Sequence, residues 1–355
     1  MRSLAATCSL PLLMLAVACG SGEGGGAGGA TVTQLTGAGA TFPNPIYQKW
    51  FDAYNRSTGI QVNYQSIGSG GGIRQYTEGT VDFGATDGPM TEEQLAAVSG
   101  NVVHIPTVLG AVVLTYNLPE VGSTQLVLDA TTIAGIYLGE ITKWNDPRIA
   151  ALNPGVSLPA TDLIVVHRSD GSGTTYVFTD YLSKVSEQWL ARAGKATSVN
   201  WPTGLGGKGN EGVTQQVKQL SGAIGYVEMV YAVSNGLQFA QVRNAAGNAV
   251  VPTLESVTEA AGSAELPADT DFRVSITNPP GATAYPIASF TWMLVHRDAT
   301  DAAKAATIRN FLEWMVTPEA QQMALELQYA PLPANVVALV TARLATLTAA
   351  GQPLP

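Results

Sequence analysis

This sequence has few cysteines, few histidines and a negative net charge, and these features argue against metal sites and nucleic-acid binding. The 355 residues include two cysteines and three histidines, and the spacing of His104, His167 and His296 does not suit a shared metal ion. The formal net charge of -9 argues against nucleic-acid binding. With 46% hydrophobic and 13% charged residues, the composition is that of a globular protein. We therefore expect no metal, no cofactor and no nucleic-acid partner.

The N-terminal apolar run is too short to cross a bilayer. Residues 9–18 are almost entirely apolar and follow Arg2, a pattern typical of a secretion signal. The sequence Ala-Val-Ala-Cys at 16–19 resembles a lipoprotein processing site, which predicts a signal peptide over 1–18 and a lipidated Cys19. Residues 20–30 are mainly glycine, so 19–30 would form a flexible, lipid-anchored tether. We expect an exported protein in the periplasm or at the outer face of the cell membrane; a transmembrane anchor is the alternative.

Strand and helix signals alternate along the remainder of the chain. The aromatic residues at 47, 50, 51 and 54 would share one helix face, with Gly59 as the stop. Further signals are a short helix over 73–77, a buried strand over 163–166, a helix from 175 onward, a strand over 290–295 and helices over 302–315 and 318–327. Such alternation predicts an α/β fold with mainly parallel sheets flanked by helices.

Residues 168–174 read Arg-Ser-Asp-Gly-Ser-Gly-Thr and lie between a predicted strand and a predicted helix. A helix N-terminus offers unpaired backbone N–H groups and the positive end of a dipole, and glycine allows an anion to approach the backbone. Arg168 adds planar donors that suit a phosphate or a carboxylate. The segment therefore predicts an oxyanion site.

Two glycine-rich turns upstream offer the same chemistry. Residues 37–43 (Gly-Ala-Gly-Ala-Thr-Phe-Pro) precede the helix with the aromatic face, and residues 67–72 (Ile-Gly-Ser-Gly-Gly-Gly) lie between an alternating strand at 60–64 and the short helix. Each turn places hydroxyl and backbone donors at a helix start. A single glycine-rich match is usually a plain turn, but the repetition favours one shared anion site.

Asp87 would be an acceptor among these donors, at the end of the predicted strand that begins at residue 81. A carboxylate repels a fully ionised anion, but it accepts a hydrogen bond from an anion that still carries a proton. Hydrogen phosphate carries such a proton at neutral pH, whereas sulfate does not. A site built around that hydrogen bond can reject the unprotonated analogue by about 10⁴-fold. Asp87 thus favours phosphate over sulfate.

At these motifs the chain resembles the PstS family, the phosphate-binding proteins of bacterial phosphate-specific ABC importers. The resemblance extends from about residue 35 to about residue 332 and includes GAGATFPNPIYQKW, VDFGATDGPM, VVHRSDGSGTTYVFTDYL and GAIGYVE. It implies that phosphate is bound at Thr41, Phe42, Ser69, Asp87, Arg168, Asp170, Ser172, Gly173 and Thr174. Within this set Asp87 would accept the phosphate proton, and Asp170 would hold Arg168 against the anion.

The resemblance also implies a two-lobed periplasmic binding protein fold, similar to type II, with the ligand cleft between the lobes. Lobe 1 would comprise residues 31–107 and 279–355, and lobe 2 residues 108–278, with crossings near Pro106 and the loop 278–281. A cleft of this kind closes on its ligand. The implied partners are inorganic phosphate and the permease of an ABC importer with its cytoplasmic ATPase. The protein itself would be a monomer without enzymatic activity.

Other functions stay open from the residues alone. The chain could bind another tetrahedral oxyanion, or it could sense phosphate without a transporter. A hydrolase is disfavoured, because the sequence has no Gly-x-Ser-x-Gly turn and no HExxH motif. His167 should point away from the cleft, since it precedes Arg168 on a strand. Residues 201–209 lack the spacing of a nucleotide-binding loop and are interpreted as a loop at the cleft rim.

Overall fold

The computed structural model describes residues 32–98 and 101–354. The predicted signal peptide, Cys19 and the glycine-rich tether lie outside the described residues. Within the described ranges, no helix combines the length and the apolar character needed to span a membrane.

Strands and helices alternate through most of the described chain. The strands are β1 (Gln34–Gly39), β2 (Gln61–Ser66), β3 (Phe83–Thr86), β4 (Val102–Tyr116), β5 (Val127–Leu128), β6 (Ile164–Arg168), β7 (Leu205–Gly207), β8 (Ala223–Glu228), β9 (Gln238–Phe239), β10 (Gln241–Arg243), β11 (Ala249–Val250), β12 (Ala288–His296), β13 (Asp298–Ala299), β14 (Thr348–Ala349) and β15 (Gln352–Pro353). The helices are α1 (Asn44–Thr58), α2 (Ser69–Thr77), α3 (Glu92–Ala97), α4 (Ala130–Tyr137), α5 (Pro147–Leu152), α6 (Gly173–Val185), α7 (Glu187–Arg192), α8 (Gly209–Gln219), α9 (Met229–Ser234), α10 (Leu254–Gly262), α11 (Ala302–Met315), α12 (Pro318–Leu325) and α13 (Ala334–Leu344), with a 3₁₀ turn at Pro119–Val121.

One mixed sheet extends through the molecule in the order β2-β1-β3-β12-β4-β8-β6-β7, and β9 pairs with β4 beside this path. At one end β1 pairs in parallel with β2 and β3, and at the other end β6 pairs in parallel with β7 and β8. The middle is antiparallel, because β12 pairs with β3 and β4, and β4 pairs with β8. The predicted α/β class is confirmed, and the parallel pairing of this sheet is confined to its two ends.

The long strand β4 joins the two ends of the sheet. It pairs with β12 as far as Ala111 and with β8 over residues 112–116. Nearly all of its side chains are buried, as expected for an apolar strand covered on both faces. Pro106 lies inside β4 and pairs with Trp292 of β12, beside an irregularity in which the next residue of β4, Thr107, has no partner on β12. A proline has no N–H for the ladder, so an irregularity is where a central strand can accommodate one.

Helix α1 buries the predicted aromatic face. Its buried side chains include Tyr47, Trp50, Phe51 and Tyr54, and Gly59 ends the helix with a φ of 76°. The Trp50 indole N–H donates to a backbone carbonyl of α12 at 2.7 Å. These contacts anchor α1, and with it the turn that leads out of β1.

Helix α2 begins earlier than the sequence predicts. The apolar pattern indicates a helix over 73–77, but α2 starts at Ser69 and contains three glycines in its first turn. Glycine is a poor helix former, which hides this turn from a reading of the sequence. Packing explains one of the glycines, because a Cβ at Gly72 would lie 2.3 Å from the Cα of Gly39 on β1.

Candidate anion site

Helices from both ends of the sheet begin close together. They are α1, α2, α6 and α8, whose first residues are Asn44, Ser69, Gly173 and Gly209. Each N-terminus presents backbone N–H groups that have no partner within the helix, together with the positive end of the helix dipole. The residues predicted to form the site lie at these starts or at the ends of β3 and β6.

The Ser69 hydroxyl joins the two ends of the sheet. Its Oγ accepts hydrogen bonds from the Gly173 N–H at 3.0 Å and from the Asp87 N–H at 3.3 Å. Beside it, the Gly70 N–H donates to the Gly171 carbonyl at 2.9 Å. Ser69 and Gly70 belong to α2, whereas Gly171 and Gly173 follow β6. The predicted anion-binding segments 67–72 and 168–174 therefore meet.

Arg168 is buried and held by Asp170. Its Nε and Nη2 donate to the two carboxylate oxygens at 2.8 and 2.6 Å, and Asp170 also accepts the Gly209 N–H at 3.0 Å. Burial opposes ionisation of Asp170, but the hydrogen bonds and charge of Arg168 outweigh it and lower the pKa of Asp170 below its ordinary value. The remaining guanidinium nitrogen, Nη1, lies 3.4 Å from the Thr174 hydroxyl. Asp170 thus fixes the guanidinium and leaves Nη1 directed towards the start of α6.

The turn after β1 is held through its carbonyl groups. The Tyr231 hydroxyl donates to the Thr41 carbonyl at 2.5 Å, and the Tyr329 hydroxyl donates to the Phe42 carbonyl at 2.6 Å. The Phe42 side chain is fully buried, so any contact that this residue makes with a polar ligand must come from its backbone. The Thr41 hydroxyl faces the start of α8, where Asn210 donates to it.

Asp87 is a buried carboxyl group with one free oxygen. Its Oδ1 accepts a hydrogen bond from the Thr291 hydroxyl at 2.8 Å, while Oδ2 has no hydrogen-bond partner among the described residues. Burial raises the pKa of Asp87 to about 7, although the Thr291 hydrogen bond and the charge of Arg168 both lower it. A buried polar atom without a partner is costly. Oδ2 is therefore available to a polar guest.

The chain is similar to known proteins over most of its length. A family model of a PBP superfamily domain matches residues 25–319. The phosphate-binding protein PstS of Pasteurella multocida is 46% identical over 309 residues, which are 87% of this chain and 89% of that protein. The protein of the same name from Haemophilus influenzae is 45% identical over 311 residues, 88% of this chain and 92% of its own. The chain belongs to the PstS family.

The PstS fold is also found among solved structures. A high affinity periplasmic phosphate-binding protein bound with phosphate (PfluDING) superimposes with a TM-score of 0.71 at 21% identity, covering 87% of this chain and 93% of that one. This likeness confirms the predicted periplasmic binding protein fold. The PstS relatives are named as binding proteins, which confirms the prediction of a binding protein rather than an enzyme.

Three residues of this candidate anion site are missed by reasoning from the sequence. Asn210 donates to Thr41, Thr291 donates to Asp87, and the Tyr226 hydroxyl accepts the Arg168 N–H at 3.1 Å. Residues 201–209 are more than a rim loop, because they include β7 and the first residue of α8. A glycine-rich turn before a helix is the signal that could have revealed Asn210. Thr291 and Tyr226 lie inside strands, where the local sequence carries no such signal.

The histidines have other surroundings. His167 stacks on Trp201 with ring centroids 4.8 Å apart. His104 accepts the Met90 N–H at 3.1 Å, and burial lowers its pKa to about 3. His296 packs on an aromatic ring of α2. Over residues 32–98 and 101–354, no cluster of three His, Cys, Asp or Glu side chains could hold a metal ion.

Proposed function

We propose that this chain binds inorganic phosphate outside the cytoplasm and delivers it to an ABC-type phosphate importer. The observation that carries the proposal is the convergence of helix N-termini and the buried Arg168 around Asp87 Oδ2, a buried acceptor without a hydrogen-bond partner among the described residues. The donors suit the oxygens of a dianion, and the acceptor suits the one proton that hydrogen phosphate retains. The names of the PstS relatives support the same ligand.

Phosphate is held in this proposal by a defined set of residues. The set is Thr41, Phe42, Ser69, Asp87, Arg168, Asp170, Ser172, Gly173 and Thr174. Ser172 caps α6, because its Oγ accepts the Thr175 N–H at 3.0 Å, and it thereby aligns the first N–H groups of that helix. Asp87 accepts the phosphate proton, and Asp170 keeps the guanidinium of Arg168 in place.

Two lobes close over the anion. Lobe 1 comprises residues 31–107 and 279–355, and lobe 2 comprises residues 108–278. The change of partner along β4, from β12 to β8 between Ala111 and Val112, supports a crossing close to the first of these boundaries. Because phosphate touches Ser69 on one lobe and Gly173 on the other, it favours the closed arrangement over the open one.

Export and anchoring form the remaining part of the proposal. Residues 1–18 direct secretion, Cys19 carries a lipid, and residues 20–30 let a monomeric body move between the membrane surface and the permease. Replacing Cys19 with serine should transfer the protein from the membrane fraction to the soluble fraction of the cell envelope. Quantitative immunoblotting of the two fractions measures this, and an unchanged membrane-bound share would contradict the lipid anchor.

Calorimetric titration with phosphate and with sulfate tests the binding function. The protein without residues 1–30, stripped of carried-over ligand, should bind one phosphate and give no signal with sulfate. Arg168→Ala should weaken phosphate binding by at least 100-fold, since hydrogen bonds to charged groups contribute about 1.5–3 kcal/mol each and the guanidinium can offer two. Arg56→Ala is the matched control, because Arg56 is an exposed arginine paired with Asp52 on α1.

The same titrations separate the alternatives. Sulfate binding in place of phosphate would assign the chain to another tetrahedral oxyanion, and binding of neither would remove the anion function. Unchanged phosphate affinity in Arg168→Ala would remove Arg168 from the site. A phosphate sensor without a transporter would bind phosphate in calorimetry but would fail to stimulate ATP hydrolysis by a reconstituted phosphate importer.

A further inference from the structure

We propose that Asn210 is the positioning residue that makes the hydroxyl groups of Thr41 and Thr174 obligatory hydrogen-bond donors towards the anion. This inference rests on the proposed phosphate function. It assigns a role to a residue outside the nine positions named above. Asn210 acts through the two threonines, which belong to different ends of the sheet, and it does not itself contact phosphate.

The Asn210 side chain is completely buried, and both its NH₂ group and its oxygen are hydrogen-bonded. Its Nδ2 donates to the Thr41 hydroxyl at 2.7 Å and to the Thr174 hydroxyl at 3.2 Å. Its Oδ1 accepts the Glu228 N–H at 3.0 Å. A backbone N–H can only donate, so Glu228 determines which side of the amide carries the oxygen. The NH₂ group must therefore face the two threonines.

Both threonine hydroxyls have their lone pairs occupied. A hydroxyl carries one proton and two lone pairs. The Thr41 Oγ1 accepts the side-chain amide of Asn210 and also its backbone N–H, which is 3.2 Å away. The Thr174 Oγ1 accepts Asn210 Nδ2 and Arg168 Nη1 at 3.2 and 3.4 Å. Only the O–H proton of each threonine is left, and within the described residues neither proton is donated to an acceptor. The oxygens of an anion would be the acceptors.

Ser69 shows the same arrangement without Asn210. Its Oγ accepts the backbone N–H groups of Gly173 and Asp87, so its proton is also directed to the guest. A hydroxyl group can usually accept a hydrogen bond from a ligand as well as donate one. The hydroxyls of Thr41, Thr174 and Ser69 can only donate, because their lone pairs are already occupied. A site lined in this way disfavours neutral polyhydroxyl guests, whose hydroxyl protons need acceptors, because these three hydroxyls can only donate.

A double-mutant cycle tests whether Asn210 acts through the threonines. Phosphate dissociation constants would be measured by calorimetry for Asn210→Ala in three backgrounds: the natural sequence, Thr41→Val with Thr174→Val, and Ser69→Ala. In the natural and Ser69→Ala backgrounds we expect Asn210→Ala to weaken binding by about 10-fold or more, the scale of one hydrogen bond to a charged group. In the double-valine background the same change should cost less than about 3-fold, because the oriented hydroxyls are already gone.

Two further variants guard against a purely structural effect. Asn153→Ala removes a comparably buried amide that bonds two backbone carbonyls away from the site, and it should lower the melting temperature without changing phosphate affinity. Asn210→Asp keeps the shape and the acceptor for Glu228, so it serves if Asn210→Ala does not fold. Its carboxylate would draw both threonine protons away from the anion, and we expect a loss of about 100-fold or more, smaller in the double-valine background.

The outcomes distinguish this inference from the proposed function. An equal loss from Asn210→Ala in all three backgrounds overturns the role of Asn210 while phosphate binding stands. So does an Asn210→Asp variant that is folded and binds phosphate like the natural sequence. A natural-sequence protein that binds no phosphate overturns both proposals together.

Discussion

Replacing Gly173 with alanine should weaken phosphate binding without weakening the fold. Gly173 is the first residue of α6, and a Cβ at this position would lie 2.5 Å from Asp87 Oδ2, 2.5 Å from Ser69 Oγ and 2.6 Å from the Asp87 backbone nitrogen. All three atoms come from the opposite end of the sheet. Since Gly173 is a helical residue, alanine suits its backbone and by itself favours the helix by at most about 1 kcal/mol. The cost falls only on the contact across the cleft.

The size of that cost follows from the contact distances. An ordinary van der Waals contact of a Cβ begins near 3.4 Å, so Ser69 and Asp87 must retreat by about 0.9 Å, the difference between 3.4 and 2.5 Å. A misplacement of about 1 Å in a set of positioned groups costs on the order of 100-fold. We therefore expect the phosphate dissociation constant of Gly173→Ala to rise about 100-fold, equivalent to about 2.7 kcal/mol.

Calorimetric titration and thermal unfolding together check this prediction. In the open, ligand-free arrangement of the proposed lobes this contact is absent, so the melting temperature of the ligand-free variant should match that of the natural sequence, while its phosphate affinity falls. Gly262→Ala is the control, because a Cβ at the end of α10 has no atom within 4 Å and should leave the affinity unchanged. Natural phosphate affinity in Gly173→Ala would refute the reasoning, since α6 and α2 could not then be in this contact around the bound anion.

Three further substitutions address stability. Burial raises the pKa of Asp87 from 3.8 to about 7, so the folded state holds that proton more tightly than the unfolded state does. The unfolding free energy of the ligand-free protein should therefore fall as the pH rises from about 4 to about 7. In urea unfolding the Asp87→Asn variant should lack this fall, and a pH profile identical to that of the natural sequence would contradict the prediction. Buried Asp180 accepts a hydrogen bond from Lys195 at 2.7 Å, and although burial opposes ionisation, this and its other hydrogen bonds lower its pKa. Asp180→Asn should therefore lower the unfolding free energy by about 1–3 kcal/mol at neutral pH. The difference between the variant and the natural sequence should shrink as the pH falls through the lowered pKa of Asp180. A difference that stays constant with pH would contradict this prediction. Trp50→Phe removes the indole hydrogen bond to α12 and should lower the unfolding free energy by about 1–3 kcal/mol. Phosphate affinity, measured by calorimetry, should stay constant. A parallel loss of phosphate affinity would show that the substitution also disturbs the anion site.

Elements with a complete apolar period were predictable from the sequence. Helix α11 has the predicted bounds, and α1 buries the predicted aromatic face as far as Gly59. Burial of one helix face requires apolar side chains at fixed intervals, so the information is local in the chain. The start of helix α2 was not predictable in this way, because its first turn contains glycines in place of apolar side chains, and one of them packs closely on β1.

The candidate site was predictable only as three separate turns and an acidic residue. Their chemistry is local, because each turn couples hydroxyl and glycine residues to a helix start. The partners of Asn210 and Thr291 were not predictable, since each side chain bonds to a residue far away in the chain. The sequence near each of these residues carries no signal that identifies the distant residue to which it bonds.

The sequence by itself determined the alternation of strands and helices, the donor-rich turns and the position of the acidic residue Asp87 among them. These properties depend on residue types at short spacings, which local physical chemistry can interpret. The tertiary structure alone decided that Ser69 meets Gly173, that Asp87 keeps one free oxygen, and that the Asn210 amide bonds to the hydroxyls of Thr41 and Thr174. Those features arise because the long strand β4 joins two groups of parallel strands, and the helices that follow the strands of both groups begin close together. That packing sets the distances and the burial on which hydrogen-bond polarity and pKa depend.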